Sequence, residues 1–154
     1  MLTKRLGDLL SARNWHIAVA ESATGGLIGH LITQVSGSSR YFLGGVIAYS
    51  NAVKRDVLGV QEPNLQQWGA VSPQVAAEMA RGTCRVVGAE VGVSVTGIAG
   101  PTGATEFKPV GLYYIGVALP TETWVWRHLE HGDRQANNEA IAWAALQHVV
   151  ACLG

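Results

Sequence analysis

A serine that begins a predicted helix is the first residue of this sequence whose position suggests chemistry. The apolar residues 18–20 are followed by Ser22, by Gly25 and Gly26, and then by an apolar, helix-forming segment. Ser22 is therefore predicted to lie where a buried strand turns into a helix. The unpaired N–H groups of a helix N-terminus carry partial positive charge, so such a junction can hold a phosphate or the oxyanion of acyl transfer.

A serine hydroxyl needs a base before it can act as a nucleophile, and Lys54 is the best candidate for that base. Lys54 lies one turn into a short predicted helix that follows a strand ending near Tyr49. Burial in a pocket lowers the pKa of a lysine toward the range in which it accepts a proton. Tyr49 would relay that proton or hold the lysine. The five histidines are scattered and show no local signature, although a Ser-His-Asp triad depends on spatial proximity and stays open.

Each of these residues also has an ordinary structural explanation. Ser22 has the residue type of a helix cap, Tyr49 that of a strand end with its hydroxyl in water, and Lys54 that of a solvated charge. A second glycine-rich stretch, residues 96–103, follows another apolar run but matches neither a P-loop nor Gly-x-Gly-x-x-Gly. We expect it to form a lid or to supply backbone donors.

Two further pairs of residues favour packing over chemistry. His128 and His131 are three residues apart, and residues at this spacing on an extended strand face opposite sides, so we expect no metal site there. Trp124 and Trp126 share one face of a predicted strand, which is typical of packing or of a contact between subunits.

The hydrophobic pattern predicts interleaved helices and strands. Helices are expected at 2–12, 27–35, 51–58, 73–87 and from 133 to the C-terminus, and strands at 16–20, 41–50, 91–95, 112–119 and 123–129. Asn51 is the expected cap of the third helix, and residues 61–71 are expected to be irregular. This order favours an α/β fold: one mixed, mostly parallel sheet with helices on both faces and an antiparallel hairpin. Loops after residues 20, 48 and 95 would then line one pocket at the strand ends.

Composition predicts one domain over residues 1–154 and excludes several function classes. The chain is 48% hydrophobic and 14% charged, which is ample for one core. Its formal net charge is zero and it has no basic run, so nucleic acid is not an expected partner. No apolar run approaches the roughly 20 residues that span a bilayer, so no membrane association is expected. Two cysteines in predicted helices, with no signal segment, predict a reduced, cytoplasmic protein with buried thiols.

Several motifs, taken together, resemble the CinA C-terminal domain family. They are residues 21–26, 44–51 with Lys54 and 58–60, 69–72, 96–101 and 108–111. The resemblance covers residues 4 to 150, with the motifs in the family's order and spacing. It implies a three-layer α/β/α domain with a mixed sheet, in agreement with the hydrophobic pattern.

The resemblance also implies an activity. Family members include nicotinamide-nucleotide amidohydrolases, which convert nicotinamide mononucleotide to nicotinate mononucleotide and ammonia without a metal or cofactor. By this resemblance Ser22 is the nucleophile and Lys54 the proton acceptor, assisted by Tyr49. The residues implied in binding the small-molecule nucleotide are Thr24, Gly25, Gly26, Thr96, Gly97, Gly100 and Arg134. We further expect a stand-alone form of the domain and a homo-oligomer, either a dimer or a trimer.

Two departures from the family pattern keep other functions open. Asn137 and Asn138 stand where the family has an apolar residue and a second arginine, and Ala104 stands where another glycine is usual. A catalytically silent paralogue that binds a nucleotide or a protein partner is therefore the second hypothesis. A structural subunit of an oligomer, suggested by Trp124 and Trp126, is the third.

Overall fold

Helices and strands alternate along most of the chain, and the computed structural model describes all residues from 1 to 154. The helices are α1 (Leu2–Arg13), α2 (Leu27–Thr33), α3 (Asn51–Asp56), α4 (Glu62–Trp68), α5 (Pro73–Val87) and α6 (Arg134–Leu153). The strands are β1 (Ile17–Glu21), β2 (Phe42–Ile47), β3 (Val91–Gly97), β4 (Leu112–Ala118) and β5 (Thr123–Leu129). A short 3-10 turn, Ser38–Arg40, precedes β2.

The five strands form one mixed sheet in the order β2-β1-β3-β4-β5. Strand β1 pairs in parallel with both β2 and β3, whereas β4 runs antiparallel between β3 and β5. Four strands therefore point in the same direction and β4 alone is reversed, which confirms the mixed, mostly parallel sheet. The predicted hairpin is β4–β5, and it lies at one edge.

The two faces of the sheet are packed in different ways. On one face, large apolar side chains of β1, β3 and β4 pack against α1, α2 and α6. On the other face the sheet presents small residues to α5. A Cβ atom on Gly92 would lie 2.2 Å from the carbonyl oxygen of Ala80, and the Ser94 hydroxyl donates to the carbonyl oxygen of Ala76 at 2.6 Å. The backbone of α5 thus lies directly on the sheet, and the three-layer α/β/α architecture is confirmed.

Two local expectations were wrong. Residues 61–71 are not irregular throughout, because Glu62–Trp68 forms α4, with a proline in its first turn and Leu65 as its buried residue. A seven-residue helix with one buried side chain has no apolar periodicity to detect. Helix α3 is capped by Ser50 and not by Asn51, since the Ser50 hydroxyl accepts a hydrogen bond from the Val53 N–H at 3.2 Å.

The remaining features noted in the sequence lie away from the strand ends. Trp126 packs within the chain, because its ring stacks on His148 of α6 with 3.9 Å between ring centroids. A contact of Trp124 with another subunit of the expected homo-oligomer stays a prediction. Cys84 and Cys152 are free thiols, and they are half-buried, whereas the sequence predicted buried ones. Burial raises the pKa of Cys84 to about 11. None of the helices combines the length and the hydrophobicity that crossing a bilayer requires.

Candidate active site

A cavity of about 290 Å³ opens where the parallel strands β1, β2 and β3 end. Because parallel strands end at the same edge of a sheet, the segments that follow them meet there. The residues that line this cavity are Ser22, Ala23, Tyr49, Asn51, Lys54, Ala70, Val71, Thr96, Gly97, Ile98, Ala99, Thr102, Gly103 and Arg134. The structure therefore brings together the three loops that the sequence placed around one pocket.

Ser22 is positioned by the backbone of the sheet. The last paired residue of β1 is Glu21, opposite Val95 of β3, and the Ser22 N–H donates to the Val95 carbonyl oxygen at 3.1 Å. The strand pairing thus continues one residue past the end of β1. The Ser22 side chain is buried, and its hydroxyl oxygen lies 3.1 Å from the Lys54 amine.

Lys54 is buried beside that hydroxyl without a carboxylate partner. Its side chain is 2% exposed, and its Nζ donates to Ser22 Oγ and to the main-chain carbonyl oxygen of Tyr49, the latter at 3.0 Å. Burial removes water from the amine and lowers the pKa of Lys54 to about 8. A fraction of the molecules near neutral pH therefore holds Lys54 as a neutral amine that can accept a proton.

Tyr49 contributes to the site mainly through its main chain. Its carbonyl holds Lys54, whereas its side chain is 64% exposed and its hydroxyl accepts a hydrogen bond from Arg134 Nη2 at 3.3 Å. Arg134 also donates from Nη1 to the Gly100 carbonyl oxygen at 2.9 Å. The phenol and the guanidinium therefore meet across the mouth of the cavity.

The charges around the cavity are all positive. Lys54 and Arg134 are the two basic side chains among the lining residues, and no aspartate or glutamate lines the cavity. Neither cation forms a salt bridge. An uncompensated guanidinium at a cavity wall is a donor set for a phosphate or a carboxylate, so the cavity suits an anionic ligand.

The N-terminus of α2 is already occupied by a side chain of the protein. The buried Glu21 carboxylate accepts hydrogen bonds from the Thr24 hydroxyl at 2.6 Å, from the Ile28 N–H at 2.9 Å and from the Gly29 N–H at 3.0 Å. Thr24, Gly25 and Gly26 do not line the cavity.

Ala23, which the sequence argument did not single out, does line the cavity. Its N–H makes no hydrogen bond within the protein. The N–H groups of Thr24 and Gly26 are also without a partner, but Ala23, directly after Ser22, is the one of these three residues that lines the cavity.

The other loop residues divide between lining the cavity and supporting it. Thr96 and Gly97 line it, and the Thr96 hydroxyl donates to the Ala70 carbonyl oxygen at 2.8 Å. Gly97 has no room for a side chain, because a Cβ there would lie 2.1 Å from the Tyr113 ring. Gly100 lies outside the lining and contributes the carbonyl that holds Arg134.

Besides Ala23, seven lining residues were not among the predicted site residues: Asn51, Ala70, Val71, Ile98, Ala99, Thr102 and Gly103. Val71 belongs to the turn between α4 and α5, within the stretch expected to be irregular. Only its position beside β3 brings it to the cavity. Asn51 is next to a residue that the sequence did single out, since it begins the helix that carries Lys54, and that adjacency was the available signal.

Asn137 and Asn138 are structural residues of α6. The Asn137 side chain is 1% exposed, donates to the Ala99 carbonyl oxygen at 3.1 Å and accepts from the Gly132 N–H at 2.8 Å. Asn138 accepts a hydrogen bond from the Tyr113 hydroxyl at 2.8 Å. Neither side chain lines the cavity.

Comparison with known proteins gives a match along the whole chain. The family model described as the CinA C-terminal domain matches residues 1–153. A CinA-like protein of Salinibacter ruber is 55% identical over 92% of this chain and 34% of its own length. A putative competence-damage inducible protein of Halothermothrix orenii is 53% identical over 96% of this chain and 36% of its own length. The chain thus spans about a third of the length of these curated relatives.

Solved structures match the fold closely and over nearly their full length. The competence/damage inducible protein CihA of Agrobacterium tumefaciens is 35% identical with a TM-score of 0.94, covering 97% of this chain and 92% of that one. The competence damage-inducible protein A (ComA) of Klebsiella pneumoniae is 29% identical with a TM-score of 0.94, covering 97% and 93%.

Proposed function

This chain belongs to the CinA C-terminal domain family, and from that premise we propose that it is an amidohydrolase that converts nicotinamide mononucleotide to nicotinate mononucleotide and ammonia. The observation that carries the proposal is the 3.1 Å contact between the Lys54 amine and the Ser22 hydroxyl inside the cavity. A nucleophile within hydrogen-bond distance of a buried base is the arrangement that acyl transfer requires.

The first half of the reaction transfers the acyl group to the serine. Neutral Lys54 accepts the hydroxyl proton while Ser22 Oγ attacks the carboxamide carbon, and the carbonyl electron pair moves onto oxygen. The free N–H of Ala23, directly after the nucleophile in a residue that lines the cavity, is the backbone donor that we assign to that oxyanion. Lys54 then gives its proton to the amide nitrogen, the C–N bond breaks and ammonia leaves.

The second half returns the enzyme to its starting state. Water attacks the acyl carbon and loses a proton to Lys54, and the bond from that carbon to Ser22 Oγ breaks. Lys54 passes its proton back to Ser22, and the acid that forms loses its own proton to solvent and leaves as a carboxylate. A proton acceptor in this position typically contributes about 10²–10⁴-fold to the rate.

Arg134 supports a nucleotide as the substrate. Its guanidinium stands at the cavity mouth beside the Tyr49 hydroxyl and has no carboxylate partner. Guanidinium and phenol donors together suit a phosphate group. We infer that they hold the 5′-phosphate while the carboxamide reaches Ser22.

Ammonia release from nicotinamide mononucleotide by the purified protein tests this proposal. We expect turnover that falls by about 10³-fold or more in Ser22→Ala, because the nucleophile is lost. Ser11→Ala, an exposed serine of α1, is the control and should keep full activity. Undiminished activity in Ser22→Ala would disprove the assigned mechanism. No ammonia from any pyridine nucleotide would disprove the activity.

The alternative of a silent paralogue rests on the substitutions at positions 137 and 138. Both asparagine side chains hold neighbouring segments and neither lines the cavity, so these substitutions leave the Ser22–Lys54 pair and Arg134 in place. Calorimetric binding of the mononucleotide without turnover would favour the alternative.

A further inference from the structure

An amidohydrolase must release a product that closely resembles its substrate. A carboxamide and the carboxylate that replaces it have nearly the same shape, but the –NH₂ group donates hydrogen bonds and a carboxylate oxygen only accepts them. In this cavity Lys54 and Arg134 are balanced by no carboxylate, so electrostatics alone would favour the more anionic product. Any lining group that opposes the binding of the acid would therefore favour its release.

Thr96 is the lining residue best placed to sense the group that changes. Glu21 and Val95 are the last residues paired between β1 and β3, and each is followed directly by a lining residue: Ser22 just beyond the end of β1, and Thr96 within β3. Adjacent strands are about 4.8 Å apart, and both side chains line the same cavity. A substituent on the carbon that Ser22 attacks thus lies within reach of the Thr96 side chain.

The hydroxyl proton of Thr96 is already used within the protein. It is donated to the Ala70 carbonyl oxygen at 2.8 Å, and the side chain is 1% exposed. A hydroxyl has one proton and two lone pairs, so a ligand atom that reaches the Thr96 hydroxyl meets an acceptor and no donor. Turning the proton toward a ligand would leave the Ala70 carbonyl without its donor.

We propose that Thr96 is a specificity-determining residue that accepts a hydrogen bond from the amide nitrogen of the substrate and repels the carboxylate of the product. This inference rests on the proposed amidohydrolase function. It assigns to Ala70 the task of fixing the direction of the Thr96 hydroxyl. The site thereby binds the group it cleaves and rejects the group it makes.

Calorimetry in the Ser22→Ala background, where no turnover occurs, tests this assignment. With Thr96 present we expect nicotinamide mononucleotide to bind at least about tenfold more tightly than nicotinate mononucleotide, in line with the cost of an unpaired polar group. Thr96→Val keeps the shape but removes the acceptor, so the amide should bind more weakly and the acid more tightly. Thr96→Ser, the matched control, should keep the preference.

The outcomes separate this inference from the proposed function. If Thr96 had a purely structural role, Thr96→Val would lower the affinity for both nucleotides equally. That result would overturn the inference while leaving the proposed function intact. A preference for the acid with Thr96 present would overturn it without any substitution at position 96. Binding of neither nucleotide would overturn both proposals.

With Ser22 present, Thr96→Val should show stronger product inhibition than the unsubstituted protein. Thr96→Val should raise KM for the amide and lower the inhibition constant of nicotinate mononucleotide, whereas Thr96→Ser, which keeps the hydroxyl, should keep that inhibition constant above KM. An unchanged inhibition constant in Thr96→Val would contradict the inference.

Discussion

At the level of single residues, Lys54 combines its proposed role as a base with an unfavourable environment. Its amine is almost fully buried, and its two polar contacts are the neutral oxygens of Ser22 and Tyr49. Burying a cation without an opposite charge disfavours its protonated form, which is why the pKa of Lys54 falls from 10.5 to about 8. The same burial that costs stability at neutral pH produces a usable base.

This pKa predicts how the reaction rate depends on pH. Because the base must be neutral, kcat/KM should rise with pH and level off above about 8, the pKa of Lys54. Lys54→Arg keeps a positive charge that cannot be lost, and should lower kcat/KM by about 10²-fold or more. A pH–rate profile of ammonia release from pH 6 to 9.5 checks both expectations.

Lys4→Arg is the control for this experiment, since Lys4 is an exposed residue of α1 paired with Asp8. It should leave the profile unchanged. A flat profile across that range would show that Lys54 is not the proton acceptor.

At the level of elements, α6 positions the far wall of the cavity. Its first residue, Arg134, lies at the cavity mouth, and Asn137, one turn later, bonds both to Ala99 after β3 and to Gly132 before the helix. The Asn137 amide thus fastens the start of α6 to the glycine-rich loop. Its donor and its acceptor are both in use in a buried position.

Removing this amide should affect stability and substrate binding together. Asn137→Ala leaves the Ala99 carbonyl and the Gly132 N–H without partners, which should cost about 2 kcal/mol or more of unfolding free energy. KM for the nucleotide should rise more than kcat falls, because Arg134 loses its support. Urea denaturation and steady-state kinetics measure the two effects.

Gln135→Ala is the matched control on the same turn of α6, since Gln135 is exposed and its side chain bonds to Glu139. Its effect on stability should stay within about 0.5 kcal/mol. Equal effects of the two substitutions would contradict the role given to Asn137.

At the level of the whole molecule, a pair of histidines joins the edge of the sheet to α6. The Nε2 atoms of His128 on β5 and His148 on α6 are 2.8 Å apart, so one imidazole donates a hydrogen bond to the other. If both were protonated, two donors and two positive charges would face each other. Burial, and then the charge of His128, lower the pKa of His148.

The stability of the fold should therefore fall in mild acid. A histidine whose folded pKa lies below its unfolded value binds protons more readily when unfolded, so stability is complete above about pH 6.5 and decreases below it. His148→Gln should flatten this dependence between pH 7.5 and 5.5, measured by urea denaturation. His131→Gln, an exposed histidine, should leave it as in the unsubstituted protein. An equally steep loss in His148→Gln would contradict this explanation.

Local sequence patterns were enough to predict most helices and strands and the central residues of the candidate site. Apolar spacing marked the helices and strands other than α4, because 3.6- and 2-residue periods depend only on neighbouring positions. Strand ends followed by small and polar residues indicated Ser22 and Thr96, and both line the cavity with Lys54.

Tertiary structure decided which atoms of those residues are free to act. The sequence could not indicate that Glu21 occupies the start of α2, that Tyr49 holds Lys54 through its carbonyl, or that Thr96 donates its proton to Ala70. Such partners depend on strand register and on where loops return, and the pair Thr96 and Ala70 is separated by 26 residues. The sequence by itself thus determined the serine at the junction and the lysine near it, whereas only the fold determined the direction of each hydrogen bond around them.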